Sequence, residues 1–267
     1  DADITSAGAT TVTGDDNNVD ASGALASLAV TGDDNNVDSA SVTGDATVSG
    51  DDNEVDTGDI GGLASLTGDD NDLDAGAITG ALTVDGDSND ADITSAGATT
   101  VTGDDNNVDA SGDLAGVDVT GDDNDVDAGS VTGDASLEGN INTLDVGNAI
   151  TGGLTIAGDT NNANVGDDGL DSIGGALSVT GDQNTVEGSG NVVGDATIAG
   201  EDNNVDVGNI GGLASILGDD NDLDAGAITG TLGITGNLNE AHIASAAATT
   251  IGGNANIVDA SGALGSL

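Results

Sequence analysis

Residues 66–75 read L-T-G-D-D-N-D-L-D-A, and variants of this stretch recur along the whole chain. Repetition at a fixed period is the signature of stacked repeat architectures. Most repeats are 18 residues apart; two intervals are 17, two are 19, and the one between Gly158 and Gly181 is 23. The glycines of the motif are Gly14, Gly32, Gly50, Gly68, Gly86, Gly103, Gly121, Gly139, Gly158, Gly181, Gly200, Gly218, Gly236 and Gly253.

Three columns of this alignment keep their chemistry in every repeat. The residue two before the glycine is always a branched aliphatic, as at Val84. The residue five after it is Val, Leu or Ala, as at Leu73, and the residue three after it is always Asn, as at Asn71. Because stacked Asn side chains form amide ladders, we interpret the Asn column as structural.

Short apolar runs indicate strands rather than helices. Residues 82–85 alternate apolar and polar, and residues 77–79 and 73–75 read as two further short strands. Strands that return every 18 residues predict a β-solenoid, with each residue about 4.8 Å from its equivalent. We therefore expect one continuous all-β solenoid over residues 1–267, with about 18 residues per turn, about 14 turns and a loop insertion around residues 165–175.

The charge composition excludes several classes of function. The chain has 50 Asp and Glu residues, no Lys or Arg, no aromatic residue and no Cys, so its formal charge is −50. Nucleic-acid binding needs cationic groups against phosphate, and thiol chemistry needs Cys. With no run of about 20 apolar residues, we expect no membrane insertion.

Enzymatic activity is not expected. Paired carboxylates recur at most turns, whereas an active site is a singular constellation of groups. His242 is the only His, and we interpret it as a surface substitution in a column that is otherwise mostly acidic. The alternative is a metal ligand or a catalytic base.

The two positions after the motif glycine are mostly acidic, and in a solenoid they become rows of like charge without a counter-charge. Hard oxygen ligands in glycine-rich turns suit Ca²⁺, so we predict repeated calcium sites there. The alternative is a solvated acidic face, or adaptation to high salt. The predicted ligands are Asp15, Asp16, Asp33, Asp34, Asp51, Asp52, Asp69, Asp70, Asp104, Asp105, Asp122, Asp123, Glu201, Asp202, Asp219 and Asp220.

Two resemblances cover the whole chain as a pattern. Gly-x-x-Asn-x-Val, as in residues 14–19, resembles the core of curlin repeats, which implies a secreted, amyloid-like fibre with stacked side chains. The chain lacks the repeating Gln and the aromatic residues of curlins. Its Gly-Asp-Asp-Asn turns resemble the turns of calcium-binding RTX adhesins, although the period here is longer.

We expect an extracellular or cell-surface structural protein: a filament or biofilm-matrix fibre subunit, or the stalk of an adhesin. Its expected partners are divalent cations and other copies of itself, stacked head to tail, because open solenoid ends expose unpaired strand edges. The alternative is an ice- or mineral-binding surface, since Thr often flanks the central aliphatic, as at Thr11 and Thr13. Acidic and apolar substitutions interrupt those Thr rows, for example at Asp85 and Leu217.

Overall fold

A computed structural model describes residues 2–166 and 173–266, and these residues form strands, turns and bends without a helix. Most strands are short and the paired strands are parallel. The strands are β1 (Ala2–Ile4), β2 (Ala7–Thr13), β3 (Asn18–Thr31), β4 (Asn36–Val42), β5 (Ala46–Ser49), β6 (Glu54–Thr57), β7 (Ala64–Thr67), β8 (Asp72–Ala77), β9 (Leu82–Asp85), β10 (Asp90–Thr102), β11 (Asn107–Thr120), β12 (Asp125–Val131), β13 (Ala135–Glu138), β14 (Thr143–Val146), β15 (Leu154–Ala157), β16 (Asn162–Val165), β17 (Leu177–Thr180), β18 (Thr185–Glu187), β19 (Ala196–Ala199), β20 (Asn204–Val207), β21 (Ala214–Leu217), β22 (Asp222–Thr235), β23 (Glu240–Gly252) and β24 (Ile257–Ala260).

Each coil contributes three segments to the ladders. A pre-turn strand such as β9 precedes the Gly-Asp-Asp-Asn turn, and a post-turn strand such as β8 follows the turn before it. Ile78 makes only a single bridge to Ile60, so the strand predicted at residues 77–79 is shortened to one bridging residue. The third segment is this column of bridges, except that in the coils of β3, β10, β11, β22 and β23 the segments run together as one long strand.

The register of the pre-turn and post-turn strands places each residue over its equivalent in the next coil. Val48 pairs with Leu66, and Leu66 with Val84, in the pre-turn strands. The post-turn strands keep the same register, with Val55 opposite Leu73. Fourteen turns share one backbone conformation, so the predicted β-solenoid of about 14 turns, mostly 18 residues apart, is confirmed.

The described coils group into two compact units, Asp1–Gly129 and Ser130–Leu267. Seven of the turns, from Gly14 to Gly121, lie in the first unit, and seven, from Gly139 to Gly253, lie in the second. The loop predicted around residues 165–175 falls largely on residues 167–172, which lie outside the described residues.

The aliphatic columns form the interior of each unit. Val84 is fully buried, and Leu73 and Ile78 are exposed by no more than 2%. Burying a side chain of this size contributes roughly 1.5–3 kcal/mol to folding. Since a coil encloses only a few such side chains, they must be small, and the absence of aromatic residues from the sequence fits that limit.

The Asn column forms a buried amide ladder, as the sequence predicts. The backbone N–H and the Nδ2 group of Asn71 both donate to Oδ1 of Asn89, each at 3.0 Å. Asn89 Nδ2 also donates to the carbonyl oxygen of Gly68 at 2.8 Å. Asn71 is 1% exposed, so these bonds satisfy polar groups that water does not reach.

The turn has a fixed backbone conformation that explains two of its residues. Gly68 has φ of +118°, and a Cβ there would lie 2.3 Å from the carbonyl oxygen of Gly50 in the preceding coil. Asp70 has φ of +57°, in the left-handed region that Asp and Asn adopt more readily than other non-glycine residues. Ile141 is forced into the same region with φ of +62°.

Asn71→Ala removes one rung of the amide ladder. We expect it to lower the free energy of unfolding by roughly 1–3 kcal/mol, because the buried donors of Asn53 lose their shared acceptor. Urea denaturation measures the loss. The matched control is Asn17→Ala at a less buried rung, which we expect to cost less. Equal losses in the two variants would contradict a role for burial of the ladder.

Ile141→Asn relieves strain at the turn of its coil. A β-branched residue in the left-handed region costs roughly 1–2 kcal/mol, and the Ile141 side chain is 52% exposed, so little packing is lost. We expect the melting temperature to rise, as measured by circular dichroism. Asp105→Asn, at the same position of another turn, serves as the control and is expected to change little.

Candidate functional site

The first acidic column of the turn holds adjacent coils together. Oδ1 of Asp69 accepts the backbone N–H of Asp87 at 2.9 Å, and the N–H of Asp69 donates to Oδ1 of Asp51 at 2.9 Å. Asn140 does the same for the N–H of Asp159, also at 2.9 Å. Because an amide oxygen replaces the carboxylate there, the ladder requires an acceptor at this position and no charge.

The second acidic column serves the turn conformation. Asp16, Asp52 and Asp70 have φ between +56° and +58°. The side chains of this column point to solvent. Asp therefore meets a backbone requirement at both positions of the turn, as an acceptor at the first and as a left-handed residue at the second.

The structure places all sixteen predicted calcium ligands on these turns, in the two columns. Asp122 and Asp219 are half-buried, and the other fourteen are exposed. Throughout residues 2–166 and 173–266, no three His, Asp or Glu side chains are gathered in a way that would hold a metal ion. Neighbours such as Asp51 and Asp69 can still bind a cation, because their Oδ2 atoms make none of the ladder bonds.

A second set of acceptors at the other bends was missed in the sequence. Oδ1 of Asp45 accepts the N–H of Leu63 at 3.0 Å, and Oδ1 of Asp59 accepts the N–H of Ala77 at 2.9 Å. Asp195 does the same for Leu213 at 2.8 Å. The available signal was an Asp just before an apolar segment of the repeat, as in Gly-Asp-Ala at residues 44–46.

The outward side of the post-turn strands is a second strongly acidic surface of the coils. Asp72 and Asp74 point outward from β8, and Asp72 lies in register with Glu54 and Asp90 in the adjacent coils. Burial, and then repulsion from these neighbouring carboxylates, raises the pKa of Asp72. The same two causes raise the pKa of Asp56 and that of Asp92.

His242 lies on the same side in the second unit, in register with Asp224 and Asp259. Its Nε2 is 3.1 Å from Oε1 of Glu240, and its Nδ1 is 3.8 Å from Oδ1 of Asp222. Burial raises the pKa of Asp222, whereas His242 opposes the rise. These contacts pair the imidazole with carboxylates.

The raised pKa values predict that the protein gains stability in mild acid. The folded state holds these protons more tightly than the unfolded chain, so ionisation destabilises the fold at neutral pH. The free energy of unfolding should rise as the pH falls through the raised pKa values towards the ordinary Asp value of about 3.9. Asp72→Asn should raise the melting temperature at pH 7, with a gain that shrinks towards pH 4.

Asn204→Asp is the matched control for this pH dependence. It adds a carboxylate in register with Asp222, so it should lower the melting temperature at pH 7. The melting temperature should recover in acid, where the carboxylates are protonated. Calorimetry across pH 4–8 follows both variants. A gain for Asp72→Asn that persists unchanged in acid would contradict the repulsion argument.

One protein family matches part of the chain. No described helix is long and apolar enough to cross a membrane. The family described as "Protein of unknown function (DUF3060)" matches residues 12–60, a stretch that contains the turns at Gly14, Gly32 and Gly50. No curated protein and no solved structure matches the chain.

Proposed function

We propose that this chain is an extracellular structural protein, a subunit of a filament or matrix fibre or the stalk of an adhesin, with Ca²⁺ stabilising its acidic turns. The observation that supports this best is the Asn ladder, which uses the same hydrogen bonds in coil after coil. Because every coil offers the same hydrogen bonds, the coils of one copy are suited to stack on those of another. The resemblance to curlin repeats and RTX turns supports the same class.

The ladders also support head-to-tail stacking of copies. Each Asn donates to the next coil along the chain, and each first-column Asp accepts from that next coil, so every coil has two different and complementary faces. A second copy that stacks on such a face would continue both ladders.

Charge opposes side-by-side association of such stacked copies. Two carboxylates about 4.8 Å apart repel by about 0.9 kcal/mol in water and by about 3.5 kcal/mol at an effective dielectric near 20. With no Lys or Arg in the chain, neutralisation must come from protons, salt or bound cations. A cation that binds the folded rows better than the unfolded chain stabilises the fold by mass action.

Electron microscopy and sedimentation of the purified chain, with calcium and with a chelator, test the proposal. We expect thin filaments at moderate salt, bundling when calcium is added, and a lower melting temperature in the chelator at pH 7. A stable monomer under all conditions would contradict self-association. A melting temperature that the chelator leaves unmoved, without calcium binding at millimolar concentration, would contradict the calcium sites.

Substituting both Asp69 and Asp70 by Asn separates charge from structure. Asn keeps the acceptor for Asp87 and tolerates the left-handed turn, so the fold should survive, with greater stability in the absence of calcium. The stabilisation that calcium adds should shrink. Asp45→Asn removes a bend carboxylate outside the predicted calcium ligands and should leave the effect of calcium intact.

An ice- or mineral-binding surface is the second candidate. The observation in its favour is the in-register stacking of hydroxyl-bearing residues on the pre-turn strands, such as Thr83 with Thr100. Asp85 in register with Thr102 and Leu217 with Thr235 break the rows. A thermal-hysteresis assay separates an ice-binding role from a fibre role. A mineral-nucleation assay tests the mineral-binding role of the acidic face.

A further inference from the structure

Four successive pre-turn strands of the second unit have an uncharged outward side. Along β15, β17, β19 and β21 the first and third residues are buried, and the second and fourth residues face outward. Of these eight outward residues, five are Thr or Ser and the others are Ala157, Ala199 and Leu217. We call this set of eight the neutral face. Leu217 is 43% exposed, so the neutral face also offers apolar surface to a partner.

The register joins the neutral face into one continuous surface. The hydroxyl-bearing residues at the second position pair from strand to strand, in the order Thr155, Ser178, Thr197 and Ser215. The neutral face is bordered by Glu138, which pairs with Ala157. The first unit has a similar surface on β5 and β7, bordered where Thr67 pairs with Asp85. Each unit therefore has a side on which successive coils carry no charge.

The post-turn strands of the second unit present carboxylates instead. Glu187, Asp206 and Asp224 follow one another in register on their outward side. A carboxylate accepts hydrogen bonds and donates none, so such a row repels a copy of itself and cannot bond to it. A hydroxyl group both donates and accepts, so one neutral face is complementary to another.

We propose that the neutral face is a lateral contact between two copies of this chain. The formal charge is −50 and the chain has no Lys or Arg, so copies can lie side by side without opposing carboxylates only where a surface is uncharged. The small side chains of Thr, Ser and Ala let two in-register sheets approach closely and interdigitate. This contact does not depend on head-to-tail stacking or on the calcium sites.

Other occupants fit the neutral face less well. A cationic protein would bind the carboxylates of the post-turn strands, where charge favours it. An ice surface needs unbroken rows of hydroxyl groups, and Ala199 pairs with Leu217 in one of the two rows. A second copy accommodates these residues, because the methyl groups of Ala and Thr pack against an apolar side chain.

The size of the neutral face limits the strength of the contact. Four strands about 4.8 Å apart, each about 13 Å long, cover roughly 250 Å². A stable complex buries about 800 Å² on each partner. One contact is therefore weak and is detected only at high protein concentration. Salt should strengthen it, because screening reduces the repulsion between carboxylates elsewhere on the two copies.

Sedimentation equilibrium of the full chain in EDTA measures this contact without calcium bridges. We expect association that grows with protein concentration and with NaCl. Thr180→Asp places a carboxylate on the neutral face, between Ala157 and Ala199, and should lower the association constant by roughly tenfold because facing copies then oppose like charges.

Thr185→Asp is the matched control. It adds the same charge to the same coil, on the post-turn side, between Asn162 and Asn204. The association constant should then change by less than about twofold, because the new charge lies outside the contact and is screened by salt. Glu138→Thr removes the carboxylate at the border and should raise the constant by roughly threefold. A gain of association is a readout that damage to the fold does not imitate.

Three results would overturn the proposal. Equal weakening by the two Asp variants would assign the effect to total charge. Association that neither variant changes would assign it to end-to-end stacking alone, which leaves the neutral face uncovered. A monomer at every protein and salt concentration would show that the face does not pair with itself.

Discussion

The structure depends on pairing the backbone N–H groups where the chain bends. Between strands, a coil has no ladder partner for some of its donors, and a buried unpaired N–H costs about as much as a lost hydrogen bond. This protein supplies side-chain oxygens as acceptors at its bends. Asn71 serves on the inside of the turn, Asp69 on its outside and Asp45 at another bend. Small interiors suffice because these columns hold the coils in register.

The same residues make the surface difficult to stabilise. A carboxylate is a good acceptor for a backbone N–H, but one per coil creates a row of like charges at the strand spacing. Asn140 and Asn237 carry the ladder without that repulsion, as acceptors for Asp159 and Asn254. The repeated choice of Asp over Asn is therefore not explained by hydrogen bonding alone. The explanations that remain for Asp at these positions are cation binding and solubility.

The fold was predictable because its determinants repeat. A branched aliphatic residue at every position equivalent to Val84, and an Asn at every position equivalent to Asn71, leave few alternatives to a stacked coil. The roles of Asp69 and Asp70 were not predictable from spacing, because a ladder acceptor, a left-handed corner and a cation ligand all favour Asp.

The Asn ladder gives the interior of each unit an electrical direction. In parallel strands the peptide dipoles largely cancel, so a sheet has little net dipole. The carboxamides differ, because each is oriented to donate towards the following coil, as Asn71 does to Asn89. Their moments add along the stack as peptide moments add in a helix. Each unit therefore has an axial polarity, positive towards its later coils, beneath a surface whose ionisable side chains are carboxylates apart from His242.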